Sequence, residues 1–221
     1  MIIRIGKYFA TKNLVPGQRV YDEKLIKRKG AEYRVWDPRR SKLAAALMNG
    51  MKVPFATDWL VLYLGVASGT TASHLSDIIA QGMIFGVDFA PRVLREFVLL
   101  SKTRRNLVPI FADANKPELY RCLVPEVDFL YQDVAQPNQA EILIKNAEMY
   151  LKKGGLAFVA VKARSIDVTR KPKEVFKEFK EEIGKHFKII DEKRLEPYER
   201  DHLAILAEKK SLREGVCGGD I

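Results

Sequence analysis

Trp59-Leu-Val-Leu-Tyr-Leu-Gly-Val-Ala-Ser-Gly-Thr-Thr71 joins an apolar run of strand length, Trp59 to Leu64, to a turn holding Gly65 and Gly69. A helical period follows at once, with Ala72, Leu75 and Ile79 on one face of the segment Thr70 to Ala80. An apolar strand that feeds a helix through a tight glycine turn is the opening half of a parallel β-α-β unit. The alternation continues downstream. Met83 to Val87, Leu107 to Phe111, Val127 to Gln132 and Gly155 to Val161 read as strands. Between them Arg92 to Lys102 and Gln139 to Leu151 read as helices, the second burying Ile142, Leu143, Ala147 and Tyr150 and stopped by Gly154 and Gly155. Pro172 to Gly184 is one more helix, its apolar face made by Val175, Phe176, Phe179 and Ile183. Near-continuous apolar strands separated by helices predict a parallel sheet covered on both faces. Phe187 to Asp191 and Leu203 to Ala207 have no helix between them and are expected to pair antiparallel.

Upstream the text differs. The first 36 residues read as short strands broken by turns, among them Met1-Ile-Ile-Arg-Ile, the turn Val15-Pro-Gly-Gln and the strand Glu32 to Trp36. Asp37 followed by Pro38 is a helix start, an N-cap acceptor before proline at the first helical position. That helix is expected to run through Ser41 to Met48 and stop at Asn49-Gly50. The resulting division is a small β-rich region with a helix over 1–54, an α/β domain over 55–209, and a patternless, mobile tail over 210–221.

Composition narrows the partners. The 221 residues carry 38 Lys and Arg against 28 Asp and Glu, a net charge of +10 that suits a phosphate-rich partner. Forty-seven per cent hydrophobic residues exclude a wholly disordered chain. No apolar run approaches the ~18 residues of a membrane span, and no signal-peptide core follows Met1 to Ala10, so neither a membrane segment nor secretion is expected. Two cysteines, Cys122 and Cys217, fit neither a disulfide framework nor a zinc site and suggest a reducing, intracellular setting. The histidines, His74, His186 and His202, have no ligand spacing, so no metal is expected.

In an open parallel sheet, ligands sit beyond the carboxyl ends of the strands. The first strand ends in the Gly65 to Gly69 turn, which is neither G-x-G-x-x-G nor a phosphate-binding loop. The second ends at Asp88, about 20 positions past Gly69, where a carboxylate can accept ribose hydroxyls. The third is followed by Asp113-Ala114, suited to the adenine amine and ring, and the fourth by Asp133-Val-Ala-Gln-Pro137. Each acid alone could be a cap or turn residue; four successive polar strand ends point to an adenosine cofactor. The fifth strand ends in Lys162, expected beside Asp133, either as a functional amine or as a structural ion pair. His202 opens the last strand.

Leu64-Gly-Val-Ala-Ser-Gly-Thr-Thr71, Asp133-Val-Ala-Gln-Pro137, Tyr198-Glu-Arg-Asp-His202 and Val35-Trp-Asp-Pro-Arg-Arg-Ser-Lys-Leu43 together resemble fibrillarin, in order and at matching spacing over about residues 1 to 208. The resemblance implies a Rossmann-like class I methyltransferase with a mostly parallel seven-stranded sheet. It implies S-adenosylmethionine-dependent 2′-O-methylation of rRNA and tRNA directed by a box C/D guide RNA. The implied protein partners are a Nop-domain scaffold and a kink-turn-binding ribosomal-type protein. Without a glycine- and arginine-rich extension the chain resembles the archaeal, cytoplasmic form. The resemblance places the cofactor against Gly65, Thr70, Thr71, Asp88, Phe89, Asp113, Ala114, Asp133, Val134, Ala135 and Gln136. Its Lys-Asp-Lys-His constellation falls on Lys42, Asp133, Lys162 and His202; read from the residues alone, Lys42 is one more exposed helix lysine. Asp88 stands where the family usually has glutamate, Val66 replaces a common alanine, and the tail after Lys209 carries none of the motifs of the resemblance.

The implied chemistry is displacement at the sulfonium methyl by a ribose 2′-hydroxyl. Lys162 would deprotonate or polarise that hydroxyl, Asp133 would hold Lys162, and Lys42 and His202 would position the nucleotide. Arg39, Arg40, Lys42, Arg164, Arg170, Lys171 and Lys173 are candidates for RNA contact, whereas the charges from Lys173 to Lys185 read mainly as a solvated helix face. The alternatives are a nonenzymatic RNA-binding subunit, a methyltransferase acting on a base nitrogen or a small molecule, and a nicotinamide dehydrogenase. The last does not explain the antiparallel closing pair or the Asp133–Lys162 relation.

Overall fold

The computed structural model describes residues 2–211, so the tail expected over 210–221 lies, from residue 212 onward, outside the described residues. The chain first builds a four-stranded antiparallel sheet from β1 (Ile2–Ile5), β2 (Tyr8–Lys12), β3 (Leu25–Arg28) and β4 (Ala31–Val35), in the order β1-β2-β4-β3. The helix α1 (Lys42–Met48) follows. It begins later than Asp37-Pro38 suggested. Ser41 is extended and its hydroxyl accepts from the Ala44 N–H at 3.3 Å, which makes Ser41 the cap. Asp37 instead closes a turn by accepting from the Arg39 N–H at 2.9 Å.

The larger unit alternates β5 (Leu60–Leu64), α2 (Thr70–Ile78), β6 (Met83–Asp88), α3 (Pro91–Ser101), β7 (Leu107–Phe111), β8 (Val127–Gln132), α4 (Gln139–Tyr150) and β9 (Leu151–Lys162). It closes with α5 (Ala163–Ile166), α6 (Pro172–Ile183), β10 (Phe187–Arg194) and β11 (His202–Lys209). The seven strands lie in the order β10-β11-β9-β8-β5-β6-β7. All pairs from β9 to β7 are parallel, and β11 pairs antiparallel with both β9 and β10. Alternation sends Leu62 and Leu64 into one core with α4 and α6, and Val61 and Tyr63 into the other with α1 and α2. Among the described residues no helix is long and apolar enough to cross a membrane.

Two details differ from expectation. Gly154 and Gly155 do not stop a helix but lie inside β9, where the register against β8 slips between Val127↔Leu151 and Phe129↔Leu156. The surplus residues leave the ladder there, and Gly154 takes φ +70° to allow it. The short α5 and a 3₁₀ turn over Pro117–Tyr120 were not anticipated, each being too brief to leave a periodic pattern.

A buried polar network joins the small sheet to α2. The Arg34 guanidinium, fully buried, meets Glu23 at 2.6 Å, Asp77 at 2.9 Å and the Ser73 hydroxyl at 2.8 Å. Arg104 meets the other Asp77 oxygen at 2.6 Å. Beside them His74 stacks on Trp36 with ring centres 4.8 Å apart. Its tautomer follows from its partners. Thr11 gives its one hydroxyl hydrogen to Asp77 at 2.7 Å, so it can only accept from His74 Nδ1 at 2.8 Å. Nε2 is then the acceptor for the Tyr21 hydroxyl at 2.6 Å.

Burial, reinforced by the positive fields of Arg34 and Arg104, holds the His74 pKa well below the ordinary imidazole value and keeps the ring neutral. The unfolded chain takes up a proton at this residue near pH ~6.5 while the folded chain does not. Stability from this group is therefore present above pH ~6.5 and lost as the pH falls below it, by up to ~1.4 kcal/mol per pH unit. Thermal melts between pH 7.5 and 5.5 are expected to show Tm falling on the acid side, and a His74→Gln variant is expected to lose that slope. An identical slope in both proteins would exclude His74 as its source.

Candidate active site

The site is assembled at the carboxyl ends of β5, β6, β7, β8 and β9. After β5 the chain turns through Gly65 (φ +76°), Ala67 (φ +50°) and Gly69 (φ +90°) into α2. A Cβ on Gly65 would stand 2.7 Å from the backbone oxygen of Asp133, so only glycine lets this turn lie against the end of β8. Asp88, ending β6, uses one carboxylate oxygen to accept from the Ala67 N–H and the other to accept from the Ala90 N–H, both at 2.9 Å. One carboxylate thus ties the glycine turn to the start of α3, and each oxygen keeps lone-pair capacity for a ligand hydroxyl.

The loops after β7 and β8 are tied in the same way. Asp113 Oδ1 accepts from the Asn115 N–H at 2.9 Å and from its side-chain amide at 3.1 Å. That amide also donates to Gln136, and Asn138 donates to Asn115 Oδ1 at 2.7 Å. Between these loops lies an open cleft of about 250 Å³. It is lined by Gly65, Asp88, Phe89, Ala114, Asp133, Val134, Ala135, Gln136 and Lys162 among the anticipated residues. Ala67, Val87, Ala90, Val93 and Ala112 also line it and were not anticipated, since small apolar residues carry no chemical signal. A larger cleft of about 540 Å³ lies between α4 and the β10–β11 pair, but the polar strand ends do not converge there.

Asp133 is the centre of the charged part. Its Oδ2 lies 3.1 Å from Lys42 Nζ and its Oδ1 3.0 Å from Lys162 Nζ. The second contact is an ion pair out of line for a hydrogen bond; Lys162 Nζ aims instead at the Asp133 backbone oxygen at 3.4 Å. Lys42 is thus no free surface lysine. It stands in the first turn of α1 with its side chain only 18% exposed, and α1 is docked by the Thr71 hydroxyl donating to Ser41 at 2.9 Å. One carboxylate between two ammonium groups leaves this corner net positive, while Asp88 and Asp113 make the other strand ends negative.

The anticipated residues do not all enter the cleft. Thr71 spends its hydroxyl on Ser41, and the Thr70 carbonyl accepts from Ser73. Asp113 and Lys42 flank the lining rather than belong to it. His202 is the register partner of Lys162 across β11 and β9. Its Nδ1 lies 2.7 Å from the Arg200 carbonyl, which can only accept, so that nitrogen carries the hydrogen. Below the site, burial raises the Tyr63 and Tyr131 phenols far above their ordinary range, with the Asp133 charge adding to it. Neither phenol can supply a base near neutral pH. Of the basic residues expected to meet RNA, Arg164 is paired with Asp201 at 3.1 Å and Arg170 with Glu178 at 2.5 Å.

The donor set fits an adenosine ligand that carries a sulfonium. Carboxylates stand at three strand ends, the lining is apolar between them, and a glycine turn permits backbone approach. Comparison with known proteins gives the family. A family model described as Fibrillarin matches residues 2–211. The fibrillarin-like rRNA/tRNA 2′-O-methyltransferase of Pyrococcus abyssi is 59% identical over 202 residues, covering 90% of this chain and 89% of that protein. The crystal structure of Aeropyrum pernix fibrillarin in complex with natively bound S-adenosyl-L-methionine superposes with a TM-score of 0.84 at 49% identity, covering 93% of this chain and 92% of that one. The fibrillarin of a fibrillarin/Nop5p complex superposes at 0.89 with 43% identity, over 94% and 97% of the two chains. With sequence and overall fold in agreement over nearly its whole length, the chain belongs to the fibrillarin family.

Proposed function

We propose that this chain is an S-adenosylmethionine-dependent 2′-O-methyltransferase of rRNA and tRNA, with Lys42, Asp133, Lys162 and His202 as its reacting corner. The observation that carries the assignment is the pair of lysines held on Asp133 at the rim of the adenosine-type cleft. When bound, S-adenosylmethionine supplies a methyl group on a sulfonium that departs as a neutral thioether. Asp88 would hold the ribose of that cofactor, Asp113 and Ala114 the adenine, and Gly65 with Asp133 to Gln136 the remainder. Phe89, 57% exposed at the mouth, would cover it.

The chain's own residues then have one proton and one orientation to manage. A ribose hydroxyl is a weak acid, and a cation beside it favours its ionised form. Lys162 directs an N–H at an oxygen acceptor and sits on a carboxylate, a geometry suited to polarising and orienting the hydroxyl. Asp133 fixes both lysines, and Lys42 with His202 would place the nucleotide. Arg39 and Arg40, both exposed and two or three residues before Lys42, would meet the flanking phosphates.

As the resemblance to fibrillarin implies, a box C/D guide RNA would choose the target by pairing. The relative crystallised with Nop5p supports a Nop-domain scaffold as a partner. We add a kink-turn-binding ribosomal-type protein as the third component, and the archaeal relatives support action in the cytoplasm.

Titration calorimetry is expected to show binding of S-adenosylmethionine but not NAD, and loss of that binding in Asp113→Ala with the fold intact by circular dichroism. In the particle reconstituted with guide RNA, methyl transfer is expected at the paired target and is expected to vanish when that nucleotide is 2′-deoxy. Methylation that survives the 2′-deoxy substitution would place the methyl on a base and refute the proposal.

A further inference from the structure

The residue that aims Lys162 is not among those assigned above. β8 ends at Gln132, whose partner on β9 is Val159. The last three residues of β9, Ala160 to Lys162, therefore have no strand beside them on that side, while β11 covers the other. The backbone groups of Lys162 face the empty side. Its N–H donates to the side-chain oxygen of Gln139 at 3.0 Å, and its C=O accepts from the Gln139 side-chain amide at 3.3 Å.

Gln139 is the first residue of α4 and is wholly buried. Its own backbone oxygen accepts from the Gln132 side chain at 2.7 Å. Position 139 thus grips the residue before Asp133 with its main chain and Lys162 itself with its side chain. A primary amide has one donor side and one acceptor side, the same pair that a neighbouring strand would present. It replaces the missing length of β8 at the one place where a strand would cover the cleft.

With both Lys162 backbone groups turned toward Gln139, the pair Lys162↔His202 is a non-hydrogen-bonded antiparallel pair, and the Ala163 N–H bonds across to the Asp201 C=O instead. In such pairs the facing side chains are brought closest. The amide clamp therefore sets two relations of the reacting corner together, Lys162 to Asp133 and Lys162 to His202.

We propose that Gln139 is the positioning residue for Lys162, acting through the backbone of that lysine and touching neither cofactor nor RNA. The inference rests on the role given to Lys162 under the proposed function. An interior amide that merely satisfied two backbone groups would lower stability when lost, with no special dependence on Lys162. A positioning residue acts on turnover through Lys162 alone.

The test is single-turnover methylation by the full chain reconstituted with guide RNA and its protein partners. Gln139→Asn and Gln139→Leu are compared in the native and the Lys162→Arg backgrounds, with S-adenosylmethionine affinity and Tm measured alongside. Gln139→Asn keeps a polar amide but ends one methylene short of both backbone groups. It is expected to lower the single-turnover rate by about 10- to 100-fold, the cost of an ångström-scale misplacement, with cofactor Kd unchanged. Once Lys162 is arginine, the same change is expected to cost little more. Should Gln139→Leu fail to fold, Gln139→Asn decides. A native single-turnover rate in Gln139→Asn overturns the proposal, as does an equal loss in both backgrounds. An enzyme indifferent to Lys162→Ala overturns the site reading and this inference together; one that needs Lys162 and ignores Gln139 overturns the inference alone.

Discussion

Replacing Lys162 with alanine is expected to lower the single-turnover rate of RNA methylation by about 10²–10⁴-fold, the usual weight of a side chain that handles the transferring proton. Cofactor affinity should change little, because Asp88, the glycine turn and Gln136 are held by bonds that do not involve the amine. The variant also frees Asp133 from one of two cations, leaving it with Lys42 at 3.1 Å. The corner then carries no net positive charge toward the RNA. Lys162→Arg is not expected to restore the rate, since a planar guanidinium cannot place a single point charge where an ammonium does. Quench-flow on the reconstituted particle, with calorimetry of cofactor binding, separates the two effects. Full activity of Lys162→Ala with cofactor bound would remove this residue from the mechanism.

Asp77→Ala is expected to be the most damaging single change to the fold, although Asp77 is remote from the cleft. Its two oxygens face the Arg34 and Arg104 guanidiniums at 2.9 and 2.6 Å, and also take the Thr11 hydroxyl and the Leu14 N–H. The side chains of all three charged residues are essentially without solvent. Removing the carboxylate strands two buried cations with only Glu23 left to balance them, a situation that costs about 3–5 kcal/mol. For a chain of this length that corresponds to a Tm lower by roughly 6–20 °C. The loss should loosen the small sheet from α2 first, because Arg34 belongs to β4 and Asp77 to α2. Thermal melts of the two proteins would report it; a Tm within a degree of native would mean that the network contributes nothing to stability.

Residue pattern alone was enough for the α/β unit. Apolar runs of strand length that end in turn signals, such as Val61 to Leu64 before Gly65, read as interior strands, and the period of Val175, Phe176, Phe179 and Ile183 defines the buried face of α6. The acids at strand ends were legible for the same reason, since an open parallel sheet puts whatever follows each strand on one edge. Asp88, Asp133 and Lys162 were found in this way. The boundaries were less legible where two local signals competed, as with Asp37 and Ser41 for the start of α1. Gly154 and Gly155 gave a stop signal in sequence and lie in a bulge in the structure, where the residues between Leu151 and Leu156 leave the ladder with β8.

Lys42 and Gln139 mark the limit. Their local sequence says only that one is a helix lysine and the other a helix-start glutamine, and both acquire their roles from partners far along the chain. Lys42 meets Asp133 because α1 is docked beside α2 through Ser41 and Thr71, and Gln139 meets Lys162 because β8 stops three residues short of β9. The sequence by itself determined the alternating strands and long helices of the α/β unit and the acids at the strand ends, all of which depend on short-range periodicity and on the handedness of parallel crossovers. Only the tertiary structure decided which amines share Asp133 and what holds them there, because ion pairs and amide clamps depend on distances between segments that no local pattern encodes.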